Sequence, residues 1–199
     1  MVRPMTTSYV EEKVVYFSSP GKENTDKVLE VAKAYADKYK IKHIIVASTT
    51  GYTALKATDV FKDDYNLVVV THCTGFVKPN YQEMPENVKE ELKKRGVKIL
   101  TCTHAFAGVE RAFRKELKIW LPVELLALAL RRIFCEGVKV CLEITVMAVD
   151  AGLVPQGEDV IAIAGTGRGA DTALHLKAAG SSYLFDLKVR RIICKPDTF

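Results

Sequence analysis

The sequence predicts an α/β protein: a mostly parallel sheet covered by helices on both faces, a three-layer α/β/α sandwich with an antiparallel strand at its C-terminal edge. Three observations point there. Short runs that are apolar throughout, HIIVA at 43–47, LVVVT at 67–71 and DVIAIA at 159–164, suit parallel strands buried on both faces. Segments of helical period alternate with them. The 199 residues contain no repeat, low-complexity tract or long linker, so residues 1–199 read as a single α/β domain.

The elements follow in order. Val14–Ser18 is a short strand that ends in the turn signal Ser18-Ser19-Pro20-Gly21. A helix runs from Asn24 or Thr25, either of which can cap it, to Lys40. Val28, Val31, Ala32, Tyr35 and Tyr39 form its apolar stripe. Strand His43–Ala47 leads to a helix at Thr53–Phe61, and strand Leu67–Thr71 follows. Pro85–Arg95 is a helix with Pro at its start, acids in its first turn, bases in its last and Gly96 beyond. Val97–Cys102 is the next strand. Residues 105–152 are mainly helical. Pro122–Cys135 is a helix, and Val138–Asp150, although rich in β-branched residues, places Cys141, Ile144, Thr145, Ala148 and Val149 on one helical face. After strand Asp159–Ala164 come a glycine-rich turn and a helix near Thr172–Ala179. Val189–Cys194 is the last strand, and Arg190 and Arg191 mark it as an edge.

Composition narrows the function classes. Apolar content of 48% and charged content of 27% suit a soluble domain. The longest apolar stretch, Ile119–Leu130, is interrupted by Pro122 and Glu124 and is too short to span a bilayer. Residues 1–13 lack a signal-peptide core, so a cytoplasmic location is expected. The net charge of +5 is spread over helix faces mixed with acids, not clustered with aromatics, so neither nucleic acid nor membrane is an expected partner. Five cysteines without a CxxC read as reduced thiols, most of them buried.

Two loops carry chemistry. Ser48-Thr49-Thr50-Gly51-Tyr52-Thr53 joins a strand end to a helix start, where unpaired N–H groups and the helix dipole favour an anion. The hydroxyls of Thr49, Thr50 and Thr53 add donors, and Gly51 allows a close approach. An ordinary capped turn would have the same sequence. Gly165-Thr166-Gly167-Arg168-Gly169-Ala170-Asp171 also follows a strand and is expected to open a helix. Three glycines in five residues cost too much chain entropy for a plain connector, and Arg168 can fork onto a phosphate. Gly165-x-Gly167-x-x-Ala170 also fits the dinucleotide fingerprint in form.

With these loops in view, the sequence resembles the C-terminal α/β domain of pyruvate kinase, in the version that stands alone without the catalytic barrel. Ile44–Ala54 (IIVASTTGYTA) is similar to that domain's strand and phosphate loop, Leu67–Thr71 to its next strand, and Gly157–Ala173 (GEDVIAIAGTGRGADTA) to its closing segment. The resemblance implies that the two loops face each other across a switch point of the sheet and grip a small phosphorylated ligand. For the stand-alone family it implies FMN. It implies no kinase chemistry, because the barrel is absent from this chain. Two features depart from the pattern: Asp171-Thr172-Ala173 replaces a Thr-Asn ending, and Val14–Ser18 has no counterpart, so its place in the sheet is open.

The expected ligand-binding residues are therefore Ser48, Thr49, Thr50, Gly51, Tyr52 and Thr53, facing Gly165, Thr166, Gly167, Arg168, Gly169 and Asp171. His72, Cys73, Thr74, Gly75 and His104, at strand ends, are expected near a flavin ring, with Tyr52, Phe76 and Phe106 as candidate ring contacts. If the first strand lies centrally, Lys22, Glu23 and Asn24 reach the crevice, and Asn24 and Thr25 become ligand donors; otherwise they only cap a helix. His72-Cys73 and Cys102-x-His104 lack dedicated metal spacing, so no metal is expected. No catalytic residue is assigned. A flavin-dependent oxidoreductase, a regulatory sugar-phosphate module without chemistry and a nicotinamide enzyme using Gly165–Ala170 are the readings that remain. Trp120 and the 121–130 run suit either core or a subunit interface, and the latter would make the chain a homo-oligomer.

Overall fold

The computed structural model describes residues 9–61 and 64–199. Among these residues, seven strands form one sheet in the order β1-β7-β6-β5-β2-β3-β4. They are β1 (Val15–Phe17), β2 (His43–Ala47), β3 (Asn66–Val70), β4 (Lys98–Leu100), β5 (Asp159–Ala164), β6 (Thr172–Lys177) and β7 (Lys188–Pro196). Strand β6 alone runs against the others, pairing antiparallel with both β5 and β7. The α/β class and the largely parallel sheet are as the sequence predicts.

Six α-helices among the described residues supply the outer layers: α1 (Thr25–Tyr39), α2 (Tyr52–Val60), α3 (Glu86–Lys94), α4 (Glu110–Leu117), α5 (Pro122–Ile133) and α6 (Glu136–Asp150). On one face, Val28, Leu29, Ala32 and Ala36 of α1, with Ala54 and Ala57 of α2 and Leu92 of α3, pack on Ile44, Val46, Val69 and Ile161. On the other, α6 and Ala127 of α5 pack on Ile45, Val68, Val160, Ala162 and Leu174. The period-2 alternation of the strands thus feeds two separate cores. Helix α6 is buried on nearly every side, from Gly137 to Ala148, which settles the ambiguous 138–150 segment as a helix.

Two expectations need correction. Residues 172–177 form a strand, not a helix. Ala and Leu favour a helix locally, but here the segment lies between β5 and β7 and is buried on both faces. Tertiary pairing overrides propensity, and the 165–171 loop becomes a reversal between antiparallel strands, which needs no crossover helix. The C-terminal strand does pair antiparallel with its neighbour β6, but it is not the sheet's edge. Strand β1 pairs with it in parallel, Val15 opposite Cys194 and Phe17 opposite Pro196. Only the C-terminal part of β7 is covered in this way, so Arg190 and Arg191 still mark an open stretch.

Candidate functional site

The C-terminal ends of β2, β3 and β5 open into a crevice of about 770 Å³, within the ~300–1,000 Å³ common for small-molecule sites. It lies where β2 sends its connection toward β3 and its other neighbour is β5, the kind of switch point at which open sheets leave room for a ligand. Its walls come from residues 47–50, 52–53, 70–72 and 165–169 and from one face each of α4, α5 and α6.

At the start of α2, Ser48 Oγ accepts from the N–H of Ala54 at 3.2 Å and ties down the turn. Gly51 is left-handed, with φ 97°. Among the described residues, the N–H groups of Thr50, Gly51, Tyr52 and Thr53 donate to nothing within the chain. That is the donor set expected for an anion at a helix N-terminus. The close approach allowed by Gly51 is made to α3: a Cβ there would stand 2.3 Å from Val88 Cγ1. Gly51 is therefore a packing glycine and does not line the crevice.

The 165–171 loop faces this turn, but its frame is a knot, not a helix dipole. The buried carboxylate of Asp171 accepts from the N–H of Thr166 at 2.9 Å and of Gly21 at 3.2 Å. Thr25 Oγ1 accepts from the N–H of Ala170 at 3.0 Å and donates to Lys22 O. A Cβ on Gly169 would come within 2.6 Å of Lys22 Cα. The loop is thereby clamped onto the β1–α1 turn, and Lys22 lines the crevice even though β1 lies at the sheet's edge. Asn24 does not line it; its side-chain amide donates to Ser19 O. Without a helix after Ala170, the dinucleotide fingerprint loses the N-terminus that would hold a pyrophosphate, and the nicotinamide reading loses its support.

Beyond β3, His72 Nδ1 and Glu83 Oε2 are 2.7 Å apart, and His72 stacks on Phe76, centroids 3.9 Å apart. Phe76 also stacks on His104 at 5.1 Å and lies under the Arg111 guanidinium at 3.9 Å. His104 Nε2 accepts from the N–H of Cys73 at 3.2 Å, which fixes the ring proton on Nδ1. Burial pushes the pKa of His104 down to about 4, against the opposing pull of Glu143. His72 and His104 line the crevice; Cys73, Thr74 and Gly75 do not. Gly75 N instead donates to Tyr81 O and folds the 73–84 loop back on itself. Among the described residues no group of three or more His, Cys, Asp or Glu is arranged to hold a metal. All five thiols are free, and burial raises the pKa of Cys102, Cys141 and Cys194.

Sequence reasoning missed the helical wall. Arg111 and Arg114 of α4, Glu124 and Arg131 of α5, and Glu136, Lys139 and Glu143 of α6 all face the crevice. Three of these bases are matched by acids: Arg114 with Glu124, Arg131 with Glu136 and Lys139 with Glu143. Lys139 and Glu143 are almost fully buried, and Glu143 Oε1 also accepts from the N–H of Phe106 at 2.9 Å. Desolvation lowers the Lys139 pKa, and Glu143 opposes the shift. The available signal was a Lys and a Glu four residues apart in an otherwise apolar helix, since such charges are rarely buried unless paired. Among the described residues, six basic and three acidic side chains line the crevice, a formal excess of three positive charges. The unmatched bases are Lys22, Arg168 and Arg111, none of which forms an ion pair among the described residues. Thr166 Oγ1 and Arg111 Nε are buried without a hydrogen-bond partner among the described residues, although buried polar groups are ordinarily satisfied. A phosphate and a planar group suit these free donors and the aromatic wall.

The sheet and the helices on its two faces define an α/β domain with a crevice at the strand C-terminal ends. The chain belongs to the pyruvate kinase, alpha/beta domain family, whose model matches residues 26–174. Among solved structures it is similar to Cryptosporidium parvum pyruvate kinase in complex with ADP, at 17% identity and a TM-score of 0.38; the match covers 85% of this chain and 23% of that one. The chain thus spans less than a quarter of that enzyme's length. No helix among the described residues is long and apolar enough to cross a membrane.

Proposed function

We propose that the crevice binds a small phosphorylated ligand and that FMN is the first candidate. The observation that carries this reading is the set of unpartnered donors at the α2 start, opposite Thr166 and Arg168, in a crevice with three excess positive charges. The phosphate would rest on the N–H groups of residues 50–53 and on the hydroxyls of Thr49, Thr50 and Thr53. Arg168 and Lys22 would balance its charge. The planar part would extend toward Phe76, His72 and His104, where aromatic faces are available. Bound FMN would bring electron- or hydride-transfer chemistry; the residues described here bind, orient and shield it.

Arg111 favours a second reading. It is an unmatched base away from the phosphate turn, and it would also suit a sugar phosphate with a polar far end. A flavin fluorescence titration tests the first reading. Saturable quenching is expected, and Arg168→Ala should weaken binding by about 10-fold, the scale of one charge-assisted hydrogen bond. Unchanged fluorescence at micromolar protein, together with thermal stabilisation by fructose phosphates, would replace FMN with the sugar phosphate. Stabilisation by neither would remove both readings.

A further inference from the structure

Helix α5 is amphipathic the wrong way round. Its inward face carries Glu124, only 5% exposed, and Arg131, which both line the crevice, with Ala127 between them. Its outward face carries Leu125, Leu126 and Ile133, exposed to 48%, 39% and 69%. Helices on a globular surface show the opposite arrangement. Next to this stripe, α4 presents Phe113 and Leu117, four residues apart on one face. Trp120, in the connection to α5, is 45% exposed but lines the crevice under Arg114 and is not part of the stripe. The Arg114–Glu124 pair, and Glu110 accepting from the N–H of Glu124, join the two helices.

We infer that this face is the contact surface between two copies of the chain. The five apolar side chains of the stripe expose on the order of 450 Å², taking roughly half of each, comparable to the largest patch a monomer leaves uncovered. With a polar rim, that area approaches the ~800 Å² per partner of a stable interface. A two-fold pairing sets the same stripe against itself, so one apolar face covers the other and neither copy needs a complementary partner. Lys115, Glu116 and Arg132, exposed beside the stripe, mix both signs at the rim, which suits self-pairing better than a uniformly anionic lipid surface. Because the inner side of α5 forms part of the crevice, the pairing would also hold that wall in place.

Sedimentation velocity over a dilution series tests this. The wild-type chain is expected to run as two copies. Leu125→Glu and Ile133→Glu, each tested separately, should raise the dissociation constant by roughly 30-fold or more, the effect of losing a buried anchor. Far-UV circular dichroism should stay unchanged, since both side chains point away from the core. A wild-type chain that stays single at every concentration would overturn the inference. So would a dimer that tolerates both substitutions, or a single chain that floats with phosphatidylserine vesicles.

Discussion

Arg111 and Lys139 stand in the same crevice under different constraints. Lys139 is buried against Glu143, and such a pair roughly offsets its own desolvation cost. Arg111 rests on Phe76, and its Nε has no partner among the described residues. Among the described residues it is the one base of the helical wall without an acidic partner. Between them, His104 makes a testable statement about pH. Its folded pKa of about 4 lies below the ordinary value of 6.5. Between these values the unfolded chain binds the extra proton, so this group's contribution to stability is complete above pH 6.5 and is lost as pH falls toward 4. The full effect is at most about 3 kcal/mol, reduced by the ring's partial exposure. Urea titrations from pH 7.5 to 4.5 should show a steeper loss in wild type than in His104→Gln. Identical pH slopes would mean that this imidazole titrates alike in both states. None of this could be read from the sequence, because the burial of residue 104 depends on α6, some forty positions away.

At the scale of elements, the legible part was what neighbouring residues decide. The turn at 48–53 was readable because a strand, three hydroxylated residues and a glycine stand side by side. The role of each glycine was not, because it depends on which element passes behind it. Gly51 makes way for Val88, and Gly169 makes way for the backbone of Lys22. The 172–177 segment was misread for a related reason: its neighbours β5 and β7 decide its state, and its Ala and Leu residues do not. The outward apolar stripe of α5 fits no rule of a single chain, which is why Trp120 and residues 121–130 read equally as core or interface. The loop clamp yields a sharp comparison. Gly167 and Gly169 have almost the same positive φ, 72° and 74°. A Cβ at 167 meets nothing within 4 Å, whereas one at 169 meets Lys22 Cα and Thr25 Oγ1 at 2.6 Å. Gly167→Ala should cost about 1 kcal/mol, the left-handed backbone term alone. Gly169→Ala should cost that amount plus roughly 1–3 kcal/mol for overpacking. Equal losses in denaturant titrations would show that the β1–α1 turn yields freely and does not clamp the loop.

For the molecule as a whole, the crevice is where both helical layers and the sheet's C-terminal edge meet. A ligand there would join α2 on one face to α4 and α6 on the other through the 165–169 loop. Binding only to the folded chain at about 100 times its dissociation constant would add about 2.7 kcal/mol, a rise of roughly 5–10 °C in melting temperature for a chain of this size. The way this gain varies with salt separates two physical origins. If the unmatched charges of Lys22, Arg168 and Arg111 drive affinity for a phosphate dianion, binding should weaken between 0.05 and 0.5 M salt as the screening length shortens from over ~10 Å to under ~5 Å. Buried donors such as Thr166 Oγ1 and the N–H groups of α2 would be screened far less, so the weakening should level off and not run to zero. Replacing Lys22 and Arg168 together by alanine should remove the salt-dependent part and leave the rest. Affinity that ignores salt in both proteins would place the binding energy in stacking on Phe76 and its neighbours. Affinity that collapses entirely with salt would mean that the free N–H groups at the start of α2 contribute nothing.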